Sequence, residues 1–300
     1  MIAFLGTIGR YGRWSLVAGL IAGLSLPALA IFLRDWLPLL IGALLFVSAY
    51  RIGPGATVGN SATLRASALR VLLLQLLIPM VAIVGLAATG FLDTAAGLSI
   101  VFVLAAPAVS GAPSFAILMG RDPTRAMQLV LVGTALFPLT VIPVLWALPA
   151  IPTPTDVLVS AGRLLAVIAV AVGAAFVLRG TRSLRDDHRG ALDGMAALLL
   201  AIVVIGLMSA MGPALQQTPF LFALWLLFAL VLNFGLQSVA YFGAPEKNAG
   251  LAIAAGNRNV ALFLVALPPE VVDDVLLFIG CYQVPMFLTP LVMGRIMRSG

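Results

Sequence analysis

Apolar runs follow one another along this chain, separated by short polar connections, and a backbone laid through such runs has few options. Of the 300 residues 62% are hydrophobic and 9% are charged, where soluble domains carry about a quarter charged residues. One aqueous core cannot hide that much apolar surface, so the bilayer is the solvent this sequence is written for. Hydrocarbon offers no partner for a backbone N–H or C=O, so each must be paired inside the protein. A spanning helix takes roughly 20 apolar residues. Ten candidate spans fit that length, at about 14–33, 36–50, 68–90, 95–119, 126–149, 157–178, 191–211, 219–243, 246–267 and 273–294. The rest is used by short loops, the longest from Arg51 to Arg65, and no soluble domain is expected.

Charge gives an independent reading of the same count. With the N-terminus in the cytoplasm, that side receives Arg10, Arg13, Arg51, Arg65, Arg70, Arg121, Arg125, Arg179, Arg182, Arg185, Arg189, Lys247, Arg295 and Arg298, which is 14 of the 17 Lys and Arg. The other side receives Arg34, while Arg163 and Arg258 fall within spans. Asp35, Asp93, Asp156, Glu270, Asp273 and Asp274 all lie outside. Lys and Arg bias sets topology, so both termini are expected inside, and a bacterial inner membrane is the expected location. The net charge of +6 then reads as topology signal and anionic-lipid contact, not as nucleic-acid binding. The segment from Arg10 to Pro27-Ala28-Leu29-Ala30 has a leader-like pattern. It reads better as the first span, because cleavage would break the charge alternation. Cys281, the only cysteine, excludes an intrachain disulfide and reads as a small core residue.

Two of the apolar runs are interrupted. Ala106-Pro107-Ala108-Val109-Ser110-Gly111-Ala112-Pro113 breaks the fourth, and Gly256-Asn257-Arg258-Asn259 breaks the ninth. A broken helix in the bilayer exposes backbone groups, which is tolerated where the break is buried in protein or lines a polar cavity. Paired breaks in two halves point to a transporter's substrate site. Five spans per half, with the break in the fourth of each, predict two inverted repeats, 1–150 and 151–300, within one integrated transmembrane domain. Arg258 puts a full charge at that depth, which marks a functional site by default.

At these breaks the sequence resembles the bile acid:sodium symporter superfamily, which also contains arsenite exporters. Gln75-Leu-Leu-Ile-Pro79 is similar to that family's third-helix Gln and Pro, and Ala106-Pro107 through Ser114 to its fourth-helix break. Phe137-Pro138-Leu139-Thr140 is similar to its proline-bearing fifth helix, and Ala255 through Leu262 to its ninth-helix break. The resemblance implies an all-α fold of ten helices. A core of helices three to five and eight to ten would hold the crossed, broken helices four and nine. A panel of helices one, two, six and seven would face it, with substrate bound in the cleft and alternating access between the two parts. It implies substrate or ion contacts at Gln75 and around the two breaks, at Ser110, Gly111, Ser114 and Gly256, with Pro107 and Pro113 shaping the helix break. Arg258 joins them on its charge, and Asn257 and Asn259 as amides that either bind substrate oxygens or satisfy exposed backbone groups.

The chain departs from the family where sodium would bind. Sodium-coupled members typically carry an acidic residue just before the ninth-helix break, where this chain has Ala254, and a Gln within it, where this chain has Arg258. A guanidinium roughly 5 Å from sodium, at an effective dielectric near 20, costs about 3 kcal/mol, or around a hundredfold in affinity. Arg258 is expected either to hold an anionic substrate group through its fork of donors or to replace the ion structurally by pairing with carbonyls of the opposing break. Both readings weaken sodium dependence. Sodium is therefore a doubtful cofactor, and no other cofactor or metal is expected.

The amides Asn233, Gln237 and Gln283 read as helix-joining hydrogen bonders, Arg163 as a snorkelling residue, Asp193 as a cap of span seven and His188 as a solvated loop residue. Pro138, Pro143, Pro285 and Pro290 are expected to kink helices five and ten. No span interior holds an Asp or Glu, which argues against a cation/proton antiporter. No acid–base pair or Cys/His pair lies in a span, so the chain is not expected to be an enzyme. A pore or scaffold would not need matched breaks. The function expected is secondary active transport of a small organic anion, with sodium-coupled symport as the alternative.

Overall fold

The structure, a computed structural model, describes residues 5–8, 12–53, 61–151, 153–181, 186–244 and 247–297. Arg10, Arg182, Arg185, Glu246, Arg298 and the middle of the 51–65 connection lie outside the described residues. All the regular structure described is helical, apart from one isolated antiparallel bridge between Ala108 and Arg258.

The helices, in order, are α1 (Gly12–Ser25), α2 (Pro27–Arg34), α3 (Leu37–Ile52), α4 (Ser61–Leu72), α5 (Ile78–Ala88), α6 (Ala95–Ala105), α7 (Ala112–Leu118), α8 (Thr124–Trp146) and α9 (Pro154–Thr181). They continue as α10 (Asp186–Leu207), α11 (Met211–Gln217), α12 (Pro219–Gly243), α13 (Ala249–Gly256), α14 (Phe263–Ala266) and α15 (Pro269–Ile296). Six stretches among the described residues are helical, long and apolar enough to cross a membrane: Thr63–Ala88, Thr124–Trp146, Pro154–Thr181, His188–Gln217, Pro219–Gly243 and Pro269–Ile296. The chain is a multi-pass helical membrane protein.

Several elements depart from the sequence reading. The first span is a pair of helices bent by 105° between Ser25 and Pro27, where one uninterrupted span was expected. Pro27 has no N–H and forces Leu26 out of the helical region, to φ −121° and ψ 69°, so the chain turns there. Asp193 does not cap its helix: α10 starts seven residues earlier, at Asp186, and Asp193 pairs instead with Arg51 at 2.5 Å. His188 sits in the first turn of that helix and is exposed. The four prolines expected to kink their helices, at 138, 143, 285 and 290, do lie inside helices, in α8 and α15.

Contacts divide the chain into two compact units, Met1–Val58 with Arg163–Phe222 and Gly59–Gly162 with Ala223–Gly300. In the first, α10 packs along α1, α2 and α3. Glycines make that approach possible: a Cβ on Gly19 would lie 2.7 Å from the Ala201 carbonyl oxygen, and one on Gly23 the same distance from Met208 Cβ. In the second unit α13 packs against α7 and α8, and α15 against α6 and α7. The second unit holds both interrupted apolar runs.

Between α4 and α5 the chain forms one π turn, Leu73–Leu77. Pro79 contributes to it. Pro79 has no N–H to give the carbonyl four residues back, which is that of Gln75, and its ring crowds it. The ladder shifts to the wider spacing instead, with the Ile78 N–H donating to the Leu73 carbonyl. Such single-turn bulges are frequent at functional sites, and this one carries Gln75.

Candidate functional site

The two breaks meet. The Val109 N–H donates to the Asn257 carbonyl and the Asn259 N–H to the Pro107 carbonyl, both at 2.8 Å. These two bonds form the antiparallel bridge between segments 150 residues apart, and each break supplies the partners the other lacks. Each interrupted span also opens in the same way. The Thr94 hydroxyl caps α6 by accepting from the Gly97 N–H at 3.0 Å, and Asn248 Oδ1 caps α13 by accepting from the Leu251 N–H at 2.9 Å. A side-chain cap satisfies one of the donors a helix start leaves unpaired.

Both first halves end at the crossing, so both present carbonyls there without helical partners. Arg258 takes one from each. Its Nε donates to the Ala255 carbonyl at 2.8 Å and its Nη1 to the Ala106 carbonyl at 2.9 Å. The side chain is 3% exposed. Aligned peptide dipoles leave partial negative charge at the C-terminal end of a helix, and both first halves point that end at the crossing. The guanidinium occupies that electrostatic position with a covalently attached charge.

The neighbouring carbonyls are satisfied as fully. Gly256 C=O accepts from Asn233 Nδ2 at 2.7 Å and from the Tyr282 hydroxyl at 2.5 Å. Asn257 Nδ2 donates back to the Ile253 carbonyl at 3.0 Å, while its Oδ1 accepts from the Thr289 hydroxyl at 2.9 Å. Gln237 Nε2 donates to Asn233 Oδ1 at 2.7 Å and to Thr289 Oγ1 at 3.0 Å. Asn233, Gln237, Asn257, Tyr282 and Thr289 are all fully buried. Gln283 stays within its own helix, donating to the Ile279 carbonyl at 3.2 Å. Close packing by Gly256 lets α12 approach. A Cβ there would meet the Asn233 carbonyl oxygen at 2.5 Å and would overlap Gln237 Cγ.

Gln75 stands on the other side of the crossing. Its buried amide overlaps the place where a Cβ on Gly133 would sit, with Pro107 Cβ 3.7 Å from the same point. Gln75 Oε1 lies 3.5 Å from the Thr140 hydroxyl, at the limit of a hydrogen bond. Gln75 and Thr140 therefore meet beside the first break, as Gln237 and Thr289 meet beside the second. Phe263, just past the second break, packs on Phe102 before the first and on Phe137, with ring centroids 4.6 and 5.4 Å apart.

The residues expected at the site thus fall into two groups. Gly256, Asn257, Arg258, Pro107 and Gln75 are buried in the framework of the crossing, and Pro113 is buried in the first turn of α7. Ser110, Gly111 and Asn259 are partly exposed and Ser114 is exposed. Among the described residues the side chains of Ser110, Ser114 and Asn259 have no hydrogen-bond partner. Sequence reasoning gave no site role to Tyr282, Thr289, Thr140 or Gly133. Polar hydroxyls inside otherwise apolar helices were the available signal for the first three. No family model matches this chain, and no curated protein is significantly similar to it.

Proposed function

We propose that the protein is a secondary transporter of a small organic anion, working by alternating access around the crossing and without a sodium ion bound at it. One observation carries the reading: two interrupted apolar helices bridge each other and are held by Arg258, which donates to a carbonyl of each. A protein that only needed to span the bilayer gains nothing from interrupting two helices. Arg258 brings one formal positive charge, and no Asp or Glu lies in either break. That balance favours an anion nearby and disfavours a second cation. The ten-span, inverted-repeat reading draws support from the parallel parts on each side: a capped first half, a break, and a Gln–Thr pair. In this reading Arg258 is the resident cation of the crossing. Ser110, Ser114 and Asn259, which keep free polar groups and exposed surface, offer hydrogen bonds to the substrate.

The test is thermal unfolding of the detergent-purified protein against a panel of small organic anions, in sodium and in potassium. A ligand at a hundred times its Kd stabilises the folded state by about 2.7 kcal/mol. At least one anion is expected to do so equally in both salts. Asn259→Ala and Ser114→Ala are expected to weaken that stabilisation while leaving the unliganded melting temperature unchanged. Stabilisation that appears only in sodium would replace this reading with sodium-coupled symport. A steady conductance in planar bilayers, with no anion stabilising, would replace it with a pore.

A further inference from the structure

A second polar feature lies outside the crossing, where Asp122 follows α7 and Asn248 precedes α13, and is independent of what the protein carries. α4 and the turn before α8 line an open surface pocket of about 400 Å³, with Thr63, Arg70, Asp122, Thr124, Arg125 and Gln128 around it. Asn248, the cap of α13, also lines it. Two guanidinium groups therefore converge on one small space with several neutral donors around it. Arg70 is partly buried and, among the described residues, has no hydrogen-bond or ion-pair partner. The one acidic group in the lining, Asp122, is engaged by its own turn: the Thr124 N–H and hydroxyl donate to Oδ1 at 3.0 and 2.7 Å. The lining keeps a net positive charge.

The surroundings say where the ligand comes from. Below Arg70 the same helical run exposes Leu69, Leu73, Leu77, Val81 and Val84, at 46–68%. The run is apolar and membrane-length, so this line of side chains faces acyl chains. A basic pocket at the end of a membrane helix, with a lipid-facing apolar line leading from it, has the form of a headgroup site.

We propose that this pocket binds a phosphate group, supplied by the headgroup of an anionic phospholipid, with Arg70 and Arg125 as its charged donors. Planar guanidinium forks suit phosphate oxygens.

The test uses the full chain in detergent, with added dioleoylphosphatidylglycerol, dioleoylphosphatidylcholine or soluble glycerol phosphate. Bound lipid is counted by native mass spectrometry and stability is followed by thermal unfolding. Phosphatidylglycerol is expected to bind and to raise the melting temperature more than phosphatidylcholine does. Arg70→Gln is expected to weaken its binding about tenfold, the effect of losing one charge-assisted bond. Asp122→Asn retains an acceptor for Thr124 and removes the opposing charge, so it is expected to tighten binding several-fold. A gain of binding cannot come from misfolding. Equal binding of the two lipids, or binding that neither variant alters, overturns the proposal. Glycerol phosphate reproducing the full shift at equal concentration would leave a phosphate site but overturn the lipid source.

Discussion

Arg258→Met is expected to unfold well below the wild-type protein with no ligand present. The substitution keeps an unbranched apolar chain in the space and removes two donors. The Ala106 and Ala255 carbonyls, now bonded by Nη1 and Nε, would be left buried without those partners. Each buried unsatisfied group costs about 1–3 kcal/mol. The gain from no longer burying a charge offsets part of that, and a net loss of at least about 2 kcal/mol is expected. Arg258→Lys separates charge from geometry. An ammonium is a point donor and cannot present the Arg fork, so it is expected to recover only part of the loss. The measurement is intrinsic-fluorescence melting of the purified variants. An unliganded Arg258→Met protein that melts with the wild type would remove the structural role. If it had lost anion stabilisation as well, Arg258 would become the counter-charge of the substrate.

Gly256→Ala is the second large effect. Its Cβ would sit 2.5 Å from a backbone oxygen of α12, at Asn233, and would overlap Gln237 Cγ. Neither can move cheaply. Asn233 is inside a 25-residue helix, and Gln237 is tied to Asn233 and Thr289. Overpacking a tight core costs about 1–3 kcal/mol and occasionally more, and this site belongs at the upper end. The shift would also pull the Gly256 carbonyl from Asn233 and Tyr282. A control of opposite sign is available in Gly173→Ala, within α9, where an added Cβ meets nothing within 4 Å. It is expected to stabilise by about 0.5–1 kcal/mol through helix propensity. A Gly256→Ala protein as stable as the wild type would show that α12 and α13 do not pack this closely.

How far the sequence could be read differs from element to element, and the reason is the range over which each is decided. Pro219–Gly243 lies at the bounds its apolar run predicts, because a helix in hydrocarbon runs as far as its apolar side chains do. The bend at Pro27 is equally local, yet one proline is compatible with either a kink or a full turn, and here the structure turns by 105°. The π turn at Gln75 is compatible with Pro79, which lacks the N–H that the Gln75 carbonyl would take, yet the prolines at 138, 143, 285 and 290 sit in helices that continue without one. Asp193 looked like a cap because the apolar run begins beside it. The polar residues before it continue the helix nonetheless, and Arg51 supplies its partner.

The sequence by itself determined the solvent, the helical class and the places where two helices stop. Those follow from the free energy of apolar side chains in lipid and from residues that interrupt an i to i−4 ladder. It also put a charge at one break, at a depth where burial needs compensation. Only the tertiary structure decided what compensates it. The Val109–Asn257 and Pro107–Asn259 bonds, and the carbonyls of Ala106 and Ala255 on one guanidinium, join residues that no periodicity relates. Every residue of the backbone carries the same donor and acceptor, so a sequence shows that a break leaves them open but not which distant segment closes them. The tertiary fold also sorted the expected site residues. Arg258 and Asn257 went into the framework, while Ser110, Ser114 and Asn259 kept accessible surface, because burial is a property of the neighbours that pack against a residue and not of the residue alone.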